Sequence, residues 1–344
     1  MSKEKCTPCK KASIGGQALI EGIMMKGPKK TVIAVRNAEG EIVVEDVKPS
    51  RLAGKMITKI PIIRGVVNFV TSMITGYKCL MRSADISGFT DLEDEEDKRK
   101  REEKGEEKKD DTLLTSIIMI IGSILGVALA VVLFMFLPTC IFNLINAAVT
   151  PNVAVGWSTI FHGFEKGNLD LYRALIEGVM KLALFVGYVA IVSLEKDIKR
   201  VFQYHGAEHK TIFCVEEGLP LTVENCRKMT RFHPRCGTSF MFLMIAVGIL
   251  ISTVIVIFAP NVTKITWLWV TIKILLIPVF CGVGYELLKV CGKHDNFATR
   301  IIAAPGLWVQ RLTTKEPEDD MLEVAIKSIE AVIGEEQEND GQTA

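Results

Sequence analysis

At 344 residues, with 49% apolar side chains and a formal net charge of +1, the chain is too hydrophobic for an ordinary soluble enzyme and too evenly charged for a nucleic-acid binder. Its nine cysteines are odd in number and scattered through apolar segments and loops, which argues against a disulfide framework and suits free thiols in a reducing compartment.

The opening "MSKEKCTPCKK" is polar and basic, which argues against a cleaved signal peptide. Within it Cys6 and Cys9 have redox or metal-clip spacing but no second pair, so the signal is weak. "TVIAVRNAEGEIVVEDV", residues 31–47, alternates apolar and polar side chains on both sides of Gly40, the pattern of a β-hairpin. Pro61 to Met81 carries an apolar run too short to cross a bilayer, so it is expected to lie along the membrane or pack beneath the spans. Residues 1–90 are therefore expected to form a small cytoplasmic α+β region. Residues 91–111, almost entirely charged, form a solvated linker or a single exposed helix.

Membrane spans follow. Ile117 to Leu137 is uncharged and, at about 1.5 Å per residue, long enough for roughly 30 Å of hydrocarbon. Leu182 to Leu194 is short alone and becomes a span if its helix begins near Ala174 and tolerates Glu177 and Lys181, which stand at i and i+4 and can pair. Met241 to Ala259 and Trp267 to Tyr285 are joined by "PNVTKIT" as a helical hairpin, with Lys273 snorkelling or facing a neighbour. Basic residues crowd the connection between the second and third spans, from Lys196 to Arg235, whereas 138–170 holds only Lys166. That asymmetry puts both termini in the cytoplasm. The expected architecture is a mainly α polytopic membrane protein with about four transmembrane helices. Spans one and two occupy 112–195, a cytoplasmic loop 196–238, spans three and four 239–290, and a cytoplasmic tail 291–344. "ALIEG" occurs at 18–22 and at 174–178, a coincidence, since nothing around it recurs.

The loop carries "YHGAEHK", residues 204–210, which holds two of the chain's five histidines. On a helix His205 and His209 share a face, with Glu208 beside them. H-x-x-E-H is the inverted zincin order, in which two imidazoles bind zinc and the acid takes a proton from zinc-bound water. Neutral imidazole suits zinc, and zinc lowers the pKa of its water to about 7, where a carboxylate completes the deprotonation. The competing reading is a surface helix with two ordinary polar histidines. For a third ligand His233 and Cys236 in "RFHPRCGTSF" compete with Glu286, which ends the fourth span in "GVGYELLK"; His294 is a distant fourth candidate. Cys236 is also a candidate nucleophile, as a thiolate activated by a histidine. A helix running straight from Leu194 to His209 would hang the site about 20 Å beyond the membrane face, out of reach of Glu286.

Together "GGQALIEGIMMKGP", "YHGAEHK", "RFHPRCGTSF", "GVGYE" and "PGLWVQRLTTKEP" resemble the uncharacterised bacterial membrane family typified by YqhQ, described as predicted metal-dependent enzymes. The likeness runs from about Gly15 to Ile329. It implies a bacterial plasma-membrane location and directs attention to His205, Glu208, His209, His233 and Cys236. The resulting expectation is a zinc hydrolase or peptidase at the cytoplasmic face, with Glu208 as base and Cys236 as a further catalytic candidate. Its partners would be the lipid bilayer and membrane proteins, and not nucleic acid. The alternatives are a non-enzymatic scaffold or assembly factor with a structural metal or polar cluster, and, third, a transporter.

Overall fold

A computed structural model describes residues 14–27, 29–48, 60–89, 112–293 and 296–340. Cys6, Cys9, the charged stretch 91–111 and His294 lie outside them. Two compact units share the chain: Met1–Glu106, Val189–Ser239 and Lys289–Ala344 form one, Glu107–Tyr188 and Phe240–Leu288 the other.

The first unit is built on an antiparallel meander of β1 (Gly15–Leu19), β2 (Gly22–Lys26), β3 (Thr31–Arg36) and β4 (Ile42–Val47), paired in sequence order. The hairpin expected at Gly40 is present, with Arg36 opposite Ile42 and Gly40 at φ +86°. β2 gives no alternating signal because it is covered on both sides, Ile23 and Met25 facing one way and Met24 the other. The two copies of "ALIEG" adopt different structures, a β1–β2 turn and a helix, as a coincidence requires.

The helices are α1 (Ile63–Ile86), α2 (Thr112–Val131), α3 (Leu137–Val149), α4 (Arg173–Val192), α5 (Lys196–Glu216), α6 (Val223–Lys228), α7 (Gly237–Phe258), α8 (Thr266–Leu275), α9 (Ile277–Lys293), α10 (Phe297–Thr313) and α11 (Asp319–Asp340). Within the first unit the sheet is the middle of three layers. Cys79 of α1 meets Leu19, Met24, Ile33 and Val35 on one face. On the other, Tyr204, Ala207 and Ile212 of α5 and Met321, Leu322, Ala325 and Ile329 of α11 cover Ile23, Met25, Val32 and Ala34. α1 thus packs on the sheet while Val70, Met73, Ile74 and Tyr77 stay exposed along it. The segment expected to be a tail supplies α10 and α11, and α11 completes the core. At Glu21, φ +49°, the β1–β2 turn aims a carboxylate at Arg200 Nη2 (2.7 Å) and the Tyr204 hydroxyl (3.1 Å), tying the sheet to α5.

In the second unit and its continuations, Ile124–Val149, Asp170–Val192 and Gly237–Phe258 are long and apolar enough to cross a membrane. A fourth such element exists if Thr266–Leu275 and Ile277–Gly292, bent by 45°, count as one. The first overlaps the expected Ile117 to Leu137 and continues beyond it, through a π-helical turn at Val132–Phe136 into α3. There Leu137 N–H bonds to Val132 C=O, and Pro138, which has no N–H to give, absorbs the slip in register. The last departs from the continuous helix expected over Trp267 to Tyr285. Pro278 removes the N–H owed to Ile274 and its ring crowds that carbonyl, so the helix breaks at Leu276.

Candidate metal centre

α5 begins as a separate helix because Glu195 caps it: the carboxylate accepts from Asp197 N (2.7 Å) and Ile198 N (3.0 Å), and the Glu195 backbone is extended. From that start the helical register sets His205 and His209 one turn apart on one face, their ring centroids 4.5 Å apart. Gly206, between them, faces the Lys315 carbonyl so closely that a Cβ would collide with it. Its absence lets the strap after α10 run against α5.

The loop before α7 is held by Gln310, which is fully buried. Its Oε1 accepts from His233 N (2.8 Å) and its Nε2 donates to His233 O (2.7 Å), so one side chain replaces two backbone partners. This clamp sets Cys236 beside the two imidazoles. Among the described residues, ligand atoms of His205, His209 and Cys236 lie within 4.8 Å of one another.

Both rings are oriented from behind. His205 Nδ1 contacts Thr313 O at 2.9 Å and His209 Nδ1 contacts Arg231 O at 2.5 Å. A carbonyl only accepts, so each Nδ1 carries the proton and each Nε2 is turned to the thiol side. His205 Nε2 lies 3.2 Å from Cys236 Sγ. Burial pulls the His205 imidazolium down, yet the Cys236 thiolate, its hydrogen bond, the Glu208 charge and the Thr313 carbonyl outweigh it and lift the pKa to about 9. Burial likewise pushes the Cys236 thiol up, but His205 and His209 reverse this and hold it well below the ordinary thiol value. Thr238 Oγ1, 3.3 Å from Sγ, adds a polar neighbour. His205 and Cys236 thus each favour the charged form of the other.

The donor set fits zinc. Two imidazoles and a thiolate are a known zinc combination, and a second nitrogen bonded to a backbone carbonyl is the usual support of a ligating histidine. Such a set leaves one position of a tetrahedron to be filled by water, substrate or another ligand.

Glu208 lies three residues beyond His205, close enough for its charge to raise that imidazole. Its Oε1 accepts from Gly16 N at 2.9 Å, and a Cβ on Gly16 would press against this carboxylate and collide with the Met24 carbonyl. His233 is near but differently engaged: its ring centroid is 5.6 Å from that of His209, its Nε2 is 3.6 Å from Glu216 Oε2, and its Nδ1 accepts from Arg235 N at 3.3 Å. Glu216 also pairs with Arg235. Glu286 belongs to α9 in the second unit. The supports supplied by Gln310, Glu216 and the carbonyls of Thr313 and Arg231 had no signal in the sequence. Backbone carbonyls carry no residue signature, and a lone Gln or Glu is ordinary on a helix.

The model of the family described as Protein of unknown function (DUF1385) matches residues 60–335. The chain belongs to this family. It is also 34% identical over 340 residues to the "Uncharacterized protein YqhQ" of Bacillus subtilis (strain 168), an alignment covering 97% of this chain and 95% of that protein. No solved structure matches the chain significantly. The DUF1385 match contains His205, Glu208, His209, His233, Cys236 and Gln310, while the four-stranded sheet that carries Gly16 precedes it.

Proposed function

We propose that the chain is a multi-pass protein of the bacterial plasma membrane, with both termini in the cytoplasm, that carries a zinc-dependent hydrolase or peptidase site on the cytoplasmic side. The location rests on the apolar helices and on the crowding of basic residues between Lys196 and Arg235. The convergence of His205, His209 and Cys236, each imidazole oriented by a carbonyl, carries the chemical reading.

When bound, zinc would polarise a carbonyl or phosphoryl oxygen and bring the ionisation of a water near neutrality. The chain's own groups do the rest. The Thr313 and Arg231 carbonyls keep both Nε2 atoms presented, and the Cys236 thiolate supplies the negative charge that a divalent cation needs in a buried place. Glu208 has one oxygen on Gly16 N; the other, without a hydrogen-bond partner among the described residues, is the group to accept and return a proton. Substrates tethered at the bilayer, such as membrane proteins, peptides or lipid headgroups, suit a site joined to membrane helices.

Elemental analysis of the detergent-purified chain tests this. About one zinc per chain is expected, lost in His205→Ala, His209→Ala and Cys236→Ala and kept in Glu208→Gln, which should lose hydrolytic activity. A second reading, a non-enzymatic scaffold with a structural metal, draws on the burial of His209 (2% exposed) and Cys236 (7%) and on the role of Glu208 in anchoring Gly16. Under it Glu208→Gln is harmless in cells.

A further inference from the structure

The second unit holds a charged network that the metal centre does not use. Glu177 on α4, 2% exposed, accepts from Arg173 Nε (3.1 Å), from Trp269 Nε1 (3.1 Å) and from Lys273 Nζ (2.7 Å). Arg173 is completed by the Thr263 carbonyl and Asn143 Oδ1, and Lys273 by Thr139 Oγ1 (2.8 Å) and the Trp269 ring, 5.0 Å away. Every acceptor of Glu177 is therefore committed. One carboxylate faces three cations, because Lys181, one turn further along α4, joins the same group electrostatically. Among the described residues no acceptor lies within hydrogen-bonding distance of the Lys181 ammonium.

Lys181 and Glu177 line a cavity of about 120 Å³ whose other walls are apolar except for Ser252, among them Met135, Met244, Ile249, Ile277 and Phe280. That is comparable with the ~150 Å³ that holds a benzene-sized guest in an engineered protein cavity. At this wall α9 starts anew after the break at Leu276, and its first residue, Ile277, lines the cavity. A half-buried cation that shares its one carboxylate with two other cations, in an apolar chamber, is costly unless a further anion completes it.

We propose that this cavity binds a monocarboxylate with a short apolar body, its carboxylate on Lys181 and its carbon skeleton against Met135, Met244, Ile277 and Phe280. The apolar walls disfavour a dianion such as phosphate and a small hydrated anion alike, since either would have to shed its water there.

The test is equilibrium dialysis of radiolabelled hexanoate against the full chain in nanodiscs, with hexanol, inorganic phosphate and chloride as competitors. One saturable site per chain is expected, with no competition from the other three. Lys181→Met should weaken hexanoate at least tenfold. Gly248→Leu should abolish binding by filling the cavity; Gly248 lines it, and a Cβ there would meet the Phe280 ring at an ordinary 3.6 Å, so the fold should accept the change. His209→Ala should bind hexanoate as the wild type does, which separates this site from carboxylate binding at zinc. Equal competition by hexanol or phosphate, or undiminished binding in Lys181→Met and Gly248→Leu, would overturn the proposal.

Discussion

The Nε2 of His205 faces the Sγ of Cys236 at 3.2 Å while the Nδ1 of the same ring bonds to Thr313 O at 2.9 Å, so a single imidazole joins α5, the loop before α7 and the end of α10. Everything proposed for the metal centre depends on what that ring holds at Nε2. In the metal-free protein it holds a proton.

Zinc must displace that proton, which fixes the pH dependence. Burial opposes the charged ring, but the Cys236 thiolate wins and puts the pKa at about 9, so His205 is protonated at neutral pH. Cys236 is held well below the ordinary thiol range by His205 and His209, so the thiol opposes zinc less than an ordinary one would. Apparent zinc affinity should therefore rise about tenfold per pH unit from about pH 7 and level off above about 9, with uptake acidifying the solution. Competition titrations with a chromophoric chelator measure this, and a flat profile would mean that zinc does not take the His205 nitrogen.

Gly206 connects the motif to its support. A Cβ there would collide with the Lys315 carbonyl, two residues beyond the Thr313 carbonyl that orients His205. Gly206→Ala should cost about 1–3 kcal/mol of stability by forcing the strap away. It should also lower zinc content, although it alters no ligand. Thermal unfolding and metal analysis on the same sample check both; a normal zinc content would show that the strap does not set the ring.

Much of this was legible in the sequence, and the gaps have physical reasons. His205 and His209 could be paired from spacing alone, because four residues on a helix fix a shared face. Cys236 was legible as a residue type suited to zinc, but not its convergence with both rings, which needs a fold joining residues 31 apart in sequence. The β3–β4 hairpin shows alternation because β4 is partly exposed, whereas β2, covered on both sides, does not. The bend at Leu276 was announced only by Pro278, and average hydropathy conceals it. Residues 319–340 read as a polar tail because acids are interspersed among Leu322, Ala325 and Ile329, whose side chains the sheet buries.

Gln310 offers a sharper test of how the loop is held. It pairs both the N–H and the C=O of His233 and lies within reach of Ser239 Oγ at 3.1 Å, fully buried. Gln310→Leu keeps the volume but leaves those two backbone groups unpaired, at a cost of about 1–3 kcal/mol each. Hydrogen exchange across 229–238 should accelerate and zinc should dissociate faster, with the sheet amides unaffected. Faster exchange throughout the first unit would instead identify Gln310 as a general core residue.

The last prediction concerns α11. Ile329 is fully buried among Ile23, Met25, Val32 and Ala34 of the sheet and Tyr204 and Ala207 of α5, so the helix completes the core that backs the α5 turn carrying His205 and His209. Ile329→Ala removes a buried branched side chain and should destabilise the first unit by about 2–5 kcal/mol. Truncation after Glu318 removes α11 from this layer and should expose the part of the sheet's apolar face that α11 covers. Limited proteolysis is the measurement. In the truncated chain the strands Gly15–Val47 and helix α5 should be cut rapidly, whereas a dispensable tail would leave the protease pattern of the remaining chain unchanged. Zinc should be lost together with protection, because α11 shares with α5 the core that backs His205 and His209.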